Sequence, residues 1–149
     1  MIWFLGFLTI VSIGLLVGVE FAVSAFINPV LWKLDAAARM HATRLFAALL
    51  GAIMPFWYAF CLLLLIAESV MRHHRPGFSL LAAAAGIWAA VIVVSITLLV
   101  PINNRMAQLN ADSSAGQSLL EHKRWDALHR GRILALVAAF VLLLFAILK

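Results

Sequence analysis

Trp125–Leu148 reads WDALHRGRILALVAAFVLLLFAIL. Its second part, Ile133–Leu148, carries no charged or amide side chain. Its first part holds Trp125, His129 and Arg132 in a W-x3-H-x2-R arrangement, a spacing that lines side chains along one helical stripe. The 16 apolar residues reach only about 24 Å at 1.5 Å per residue, short of a hydrocarbon layer of about 30 Å. The membrane span must therefore begin near Arg130, which brings the polar stripe down to the rim of the membrane, or sit in a thinned region.

Working outward, three more long apolar stretches precede this one. The approximate spans are 2–27, 45–69, 78–100 and 131–148, in a single domain of 149 residues. The chain is 66% hydrophobic and 11% charged, with a mean hydropathy of +1.09. Soluble domains are roughly 45–50% apolar and about 25% charged. The expected fold is all-α: an integral membrane four-helix bundle whose long second and fourth helices extend past the bilayer on one side.

Punctuation refines the boundaries. Pro29 disfavours helix at Asn28 and should end the first span. Asp35 reads as an N-cap for Ala36-Ala37-Ala38, and a helical pattern runs from there to about Met71. Pro55 should kink it. Arg72–Gly77 reads as a short turn. Pro101 ends or kinks the third span. Asn110–Gly116 is a polar loop, and a helix restarts near Gln117 and continues to Leu148. Ile2–Ile27 lacks the basic n-region and small-residue cleavage site of a signal peptide, so it reads as a retained span.

The formal net charge of +5 does not point to nucleic acid, because the basic residues sit in short loops beside apolar spans. Lys33, Arg39, Arg44, Arg105, Lys123, Arg124, Arg130 and Arg132 fall on one rim. Arg72, Arg75 and Lys149 fall on the other. The positive-inside rule makes loops 28–44 and 101–130 cytoplasmic and puts both termini on the opposite side. Membrane lipids are the default partners. Gly14 and Gly18 form a G-x3-G that suits a homo-oligomer or packing within one bundle. The single cysteine, Cys61, reads as a buried inert thiol.

An ionisable side chain inside a span is a functional-site hypothesis by default. Glu20 is one, and Ser24 and Asn28 follow it at helical spacing. Glu121, Trp125, His129 and Arg132 make a second stripe, and His41 with Arg44 opens the second helix on the same rim. Asn103 and Asn104 follow Pro101 and can satisfy the last carbonyls of the span or bind a ligand oxygen. His73 and His74 lie on the other rim and read as solvated. Glu20, His41 and His129 fit a two-histidine, one-carboxylate set for iron, and copper is the other candidate. Without a metal, His129 would act as general base while Arg132 stabilises an oxyanion.

With these residues in view, the chain resembles the anthrone oxygenase-like family of small four-span membrane proteins. The resemblance rests on Gly18-Val19-Glu20-Phe21 with Asn28-Pro29, Gly51 with Met54-Pro55-Phe56-Trp57-Tyr58, Pro101-Ile102-Asn103-Asn104-Arg105, and the Trp125, His129, Arg132 set. It implies an oxygenase that oxidises anthrones to anthraquinones, with Asn103, Trp125, His129 and Arg132 as site residues. The residues themselves suggest an oxidoreductase for a flat, lipophilic phenol or quinone. In that reading His129, Arg132 and Glu20 are catalytic, and Asn103, Asn104, Trp125 and Arg44 bind substrate. The apolar body of the substrate would enter among Phe56, Trp57 and Tyr58. Two rivals stand beside it. One is a non-enzymatic lipid- or quinone-binding protein, with Arg44, Arg105 and Arg132 on a headgroup phosphate. The other is a small oligomeric transporter with Glu20 as its proton-coupling group.

Overall fold

The computed structural model describes residues 2–108 and 115–148, and these are helical or in short turns throughout. Four rods are each long and apolar enough to cross a membrane. The first comprises α1 (Ile2–Ala22), a π turn (Val23–Ile27) and α2 (Asn28–Lys33). The second is α3 (Ala36–Met71). The third comprises α4 (Phe78–Val94), a second π turn (Ser95–Leu99) and α5 (Val100–Ala107). The fourth is α6 (Ala115–Leu148). At 36 and 34 residues, α3 and α6 are about 54 and 51 Å long, so both outreach the hydrocarbon layer as expected. The helix restarts two residues before Gln117. Residues 110–114 of the expected polar loop lie outside the described residues.

Pro29, expected to end the first span, and Pro101, expected to end or kink the third, both lie within rods that continue. Proline lacks an N–H and its ring crowds the carbonyl four residues back. In both rods a π turn of five residues comes first and changes the hydrogen-bond register. The Asn28 N–H bonds the Val23 carbonyl, and the Val100 N–H bonds the Ser95 carbonyl. Pro29 and Pro101 then occupy the first turn of a new α-segment, where no N–H is required. The first rod consequently runs on to Lys33, and the connection to α3 shrinks to Leu34 and Asp35. The Ala38 N–H donates to Asp35 Oδ1 at 2.9 Å, the cap anticipated from sequence. Pro55 sits within a continuous α3. At the other rim, Gly77 adopts φ +92°, and a Cβ there would meet the Ala146 carbonyl oxygen at 2.6 Å. Glycine is therefore required to turn into α4.

α6 packs on α4 and α1, while α3 packs on α1, α4 and α5. The core between them includes Ile13, Leu16, Cys61, Trp88 and Leu136. The Trp88 indole N–H donates to the Tyr58 carbonyl at 3.1 Å and fixes α4 level with α3 at that height. Gly14 lets the Phe140 ring of α6 come within van der Waals reach, so half of the G-x3-G serves packing inside this bundle. Large apolar side chains such as Phe4, Phe7, Phe56 and Leu134 are exposed around the outside, as a lipid-facing surface requires.

Candidate functional site

Glu20 lies in the last turn of α1 and is buried. A carboxylate there must be matched by donors, because an uncompensated buried charge is costly. Tyr58 Oη donates to Oε1 at 2.8 Å, and Arg132 Nη2 donates to Oε2 at 2.6 Å. The same Nη2 lies 2.9 Å from His129 Nδ1. His129 Nε2 lies 3.2 Å from the Glu20 carbonyl oxygen. With Nε2–H donating to that carbonyl, Nδ1 accepts from Arg132; Glu20 Oε2 also lies 3.2 Å from Nδ1, and Arg132 Nη2 stands between these two acceptors. Trp125 stacks on the His129 ring at 4.5 Å with 15° between planes. The Arg132 guanidinium sits 5.6 Å from the Tyr58 ring centroid, within cation–π range. Residues from α1, α3 and α6 thus lock one buried cluster, and the W-x3-H-x2-R spacing delivers all three of its members to it.

The cluster borders a cavity of ≈ 350 Å³, large enough for a small-molecule ligand. Glu20, Tyr58, Trp125 and Arg132 line it, amid a largely apolar wall that includes Val23, Met54 and Leu99. His129 is 1% exposed and is not part of that wall. It stands behind Trp125 and Arg132, and this changes the role available to it.

Asn28 and Asn103 also face the cavity. Asn28 Nδ2 donates to Asp126 Oδ1 at 2.8 Å, and Asp126 also pairs with Arg130 at 2.9 Å. Asn103 Nδ2 donates to the Ala47 carbonyl at 2.9 Å. A Cβ on Gly51 would lie 2.9 Å from that nitrogen, so glycine at 51 is what lets the amide reach α3. Asn104 is exposed yet contributes to the wall. Ser24, expected on the Glu20 face, is not on the wall, although Asn28 beyond it is.

Other expectations are corrected. His41 is exposed on α3. It lies 17 residues before Tyr58, about 26 Å along the helix axis, so it cannot join Glu20 and His129. The expected metal set of His129, His41 and Glu20 is not assembled, and among the described residues no group of three His, Cys, Asp or Glu is placed to hold a metal ion. Arg44 is exposed and off the cavity wall. Glu121 belongs to the rim, where Arg105 donates to it twice at 3.1 Å. Phe56 points outward at 79% exposure. From this stretch of α3 the cavity takes Met54, Pro55 and Tyr58 instead.

Sequence reasoning misses three features. Tyr58, expected to pack against an apolar substrate, uses its hydroxyl as a partner of Glu20. His122 lines the cavity, stacked on Trp32 at 4.4 Å. The signal for it and Asp126 is the i, i+4, i+7 run His122–Asp126–His129. At the opposite rim, Arg72 is not a loop charge but is buried in an ion pair with Glu68 at 2.7 Å. Their i, i+4 spacing is the available clue.

A family model described as anthrone oxygenase matches residues 44–142. The matched stretch carries Tyr58, Asn103, Trp125, His129 and Arg132, while Glu20 lies before it. No curated protein and no solved structure matches the chain.

Proposed function

This chain belongs to the anthrone oxygenase family, and from that premise we propose a membrane-embedded oxygenase. It converts an activated methylene of a flat, lipophilic phenol, anthrone or quinone-like compound to a carbonyl. One observation carries the reading: a buried carboxylate and a half-buried guanidinium stand side by side on the wall of a largely apolar cavity. The Glu20 oxygens accept from a hydroxyl and a guanidinium, the partners that suit a carboxylate, and a carboxylate can accept a proton.

Glu20 takes a proton from the methylene. The electron pair moves to the substrate's own oxygen, where Arg132 meets the developing charge. Arg132 lines the cavity, so its fixed positive charge lies beside that oxygen. Dioxygen accepts the electrons. One of its atoms becomes the new carbonyl oxygen, and the other leaves as water with the two hydrogens of the methylene. One methylene and one dioxygen therefore give one carbonyl and one water. His129 is a positioning residue here, since it touches Arg132 and Glu20 rather than the cavity. Trp125 holds the imidazole plane and forms part of the wall.

The lipid-headgroup alternative receives less support. It puts Arg44, Arg105 and Arg132 on one phosphate, but Arg44 and Arg105 are off the cavity wall that Arg132 lines, and Arg105 is paired with Glu121. The test is to supply anthrone and 18O-labelled dioxygen to the purified protein, with iron and copper content measured on the same sample. One labelled oxygen per product carbonyl, with one dioxygen consumed, is the expected result. Binding of anthrone without dioxygen uptake refutes the oxygenase assignment.

A further inference from the structure

Helix hydroxyls removed from water commonly bond the carbonyl four residues back. Thr9 does so to Leu5 at 2.9 Å, Ser69 to Leu65 at 2.8 Å and Thr97 to Val93 at 2.9 Å. Thr43 and Ser95 break the pattern. Their hydroxyl oxygens are buried without a partner among the described residues, and both residues line the cavity. The third such residue on the cavity is Arg132. The other unpartnered atoms among the described residues, on Glu68 and Arg72, belong to a single ion pair at the far rim. Buried polar groups without partners call for an explanation. These atoms are closed off from the cavity as it stands, but a hydroxyl on a lining residue that holds no protein partner gives up no bond when it turns toward a ligand.

Heights along the bundle say which can act together. Trp88 is level with Tyr58 through its bond to that carbonyl, and Arg132 lies against the Tyr58 ring. Ser95 is seven residues beyond Trp88, about 10 Å along the axis. Thr43 is fifteen residues from Tyr58, about 22 Å away. Ser95 is therefore within the length of one fused-ring molecule whose first oxygen meets Arg132, and Thr43 is beyond it. A one-step rotation about Cα–Cβ redirects a serine hydroxyl.

We propose that Ser95 is a specificity-determining residue: its hydroxyl takes a second oxygen of the ligand, at the end remote from Arg132. The inference rests on the reading of this cavity as the substrate site. It also gives the π turn at Ser95–Leu99 a function, since π turns cluster at functional sites.

The test is the binding of two fluorescent probes with one carbon skeleton, 2-hydroxyanthracene and 2,6-dihydroxyanthracene. Wild type should bind the dihydroxy probe about five- to tenfold more tightly, the worth of one hydrogen bond. Ser95→Ala should abolish that preference while leaving the affinity for the monohydroxy probe unchanged. Ser95→Thr should restore it, and Thr43→Val should keep it. A wild type without preference, or a Ser95→Ala variant that retains it, overturns the proposal. If neither probe binds wild type, the reading of the cavity itself has failed, and the inference falls with it.

Discussion

Replacing Glu20 by glutamine removes the carboxylate that faces the Arg132 guanidinium and leaves the cation in place. Breaking a buried ion pair from one side costs about 3–5 kcal/mol. Here the lower end applies, because the Arg132 side chain keeps 13% exposure and its contact with His129 survives. About 3 kcal/mol corresponds to a fall of roughly 6–12 °C in Tm for a chain of this size. Arg132→Gln should cost less, about 1–2 kcal/mol, because Glu20 keeps the Tyr58 hydrogen bond. The double variant buries no charge and should lose less than the sum of the two, with a coupling of at least about 1 kcal/mol. Cys61 supplies the assay. It is the only cysteine and is fully buried, so a thiol-reactive fluorogenic dye reports unfolding of the core directly. A Glu20→Gln variant that unfolds within about 2 °C of wild type, or strict additivity in the double variant, would refute the reasoning.

Gly51→Ala should displace the Asn103 amide from the Ala47 carbonyl and cost about 1–2 kcal/mol. In an Asn103→Ala background the same change should be close to neutral, and a thermal-stability cycle decides. Gly77→Ala meets both a left-handed backbone and the Ala146 carbonyl, so a Tm loss worth about 2 kcal/mol or more is expected. Asp35→Ala removes the α3 cap and should lower stability by about 1 kcal/mol without affecting ligand binding. Trp125→Leu should lose the stack on His129, worth about 0.5–1.5 kcal/mol, and should reduce turnover more than Tm if imidazole placement orders Arg132.

Four spans, the Asp35 cap, the Arg72–Gly77 turn and the long second and fourth helices are legible in the sequence, because each rests on local composition or a local hydrogen bond. The prolines mislead. At Pro29 the local rule predicts an end and at Pro101 an end or a kink, but a π turn precedes each and the rod continues, and nothing in a five-residue window announces that turn. The site is half legible. Glu20, Trp125, His129 and Arg132 stand out as polar groups in apolar surroundings, and they do meet. What spacing cannot give is which level of one helix faces which level of another. His41 reads as a neighbour of Glu20 only if the rim is thin, and α3 separates the two by many turns. Tyr58 hides among aromatic neighbours because its hydroxyl gains meaning only from Glu20 on another helix. The difference between a group on the cavity wall and one behind it, which separates Glu20 from His129, exists only in three dimensions.

The central claim is that Glu20 and Arg132 on the cavity wall perform the chemistry. Its most direct test is dioxygen consumption with anthrone by wild type, Glu20→Gln and His41→Ala, each compared at a temperature where the Cys61 dye shows it folded. The account predicts a loss of about 100-fold or more in kcat for Glu20→Gln, the scale of a general base, and wild-type turnover for His41→Ala. A folded Glu20→Gln variant with wild-type turnover, or a His41→Ala variant as impaired as Glu20→Gln, would contradict it.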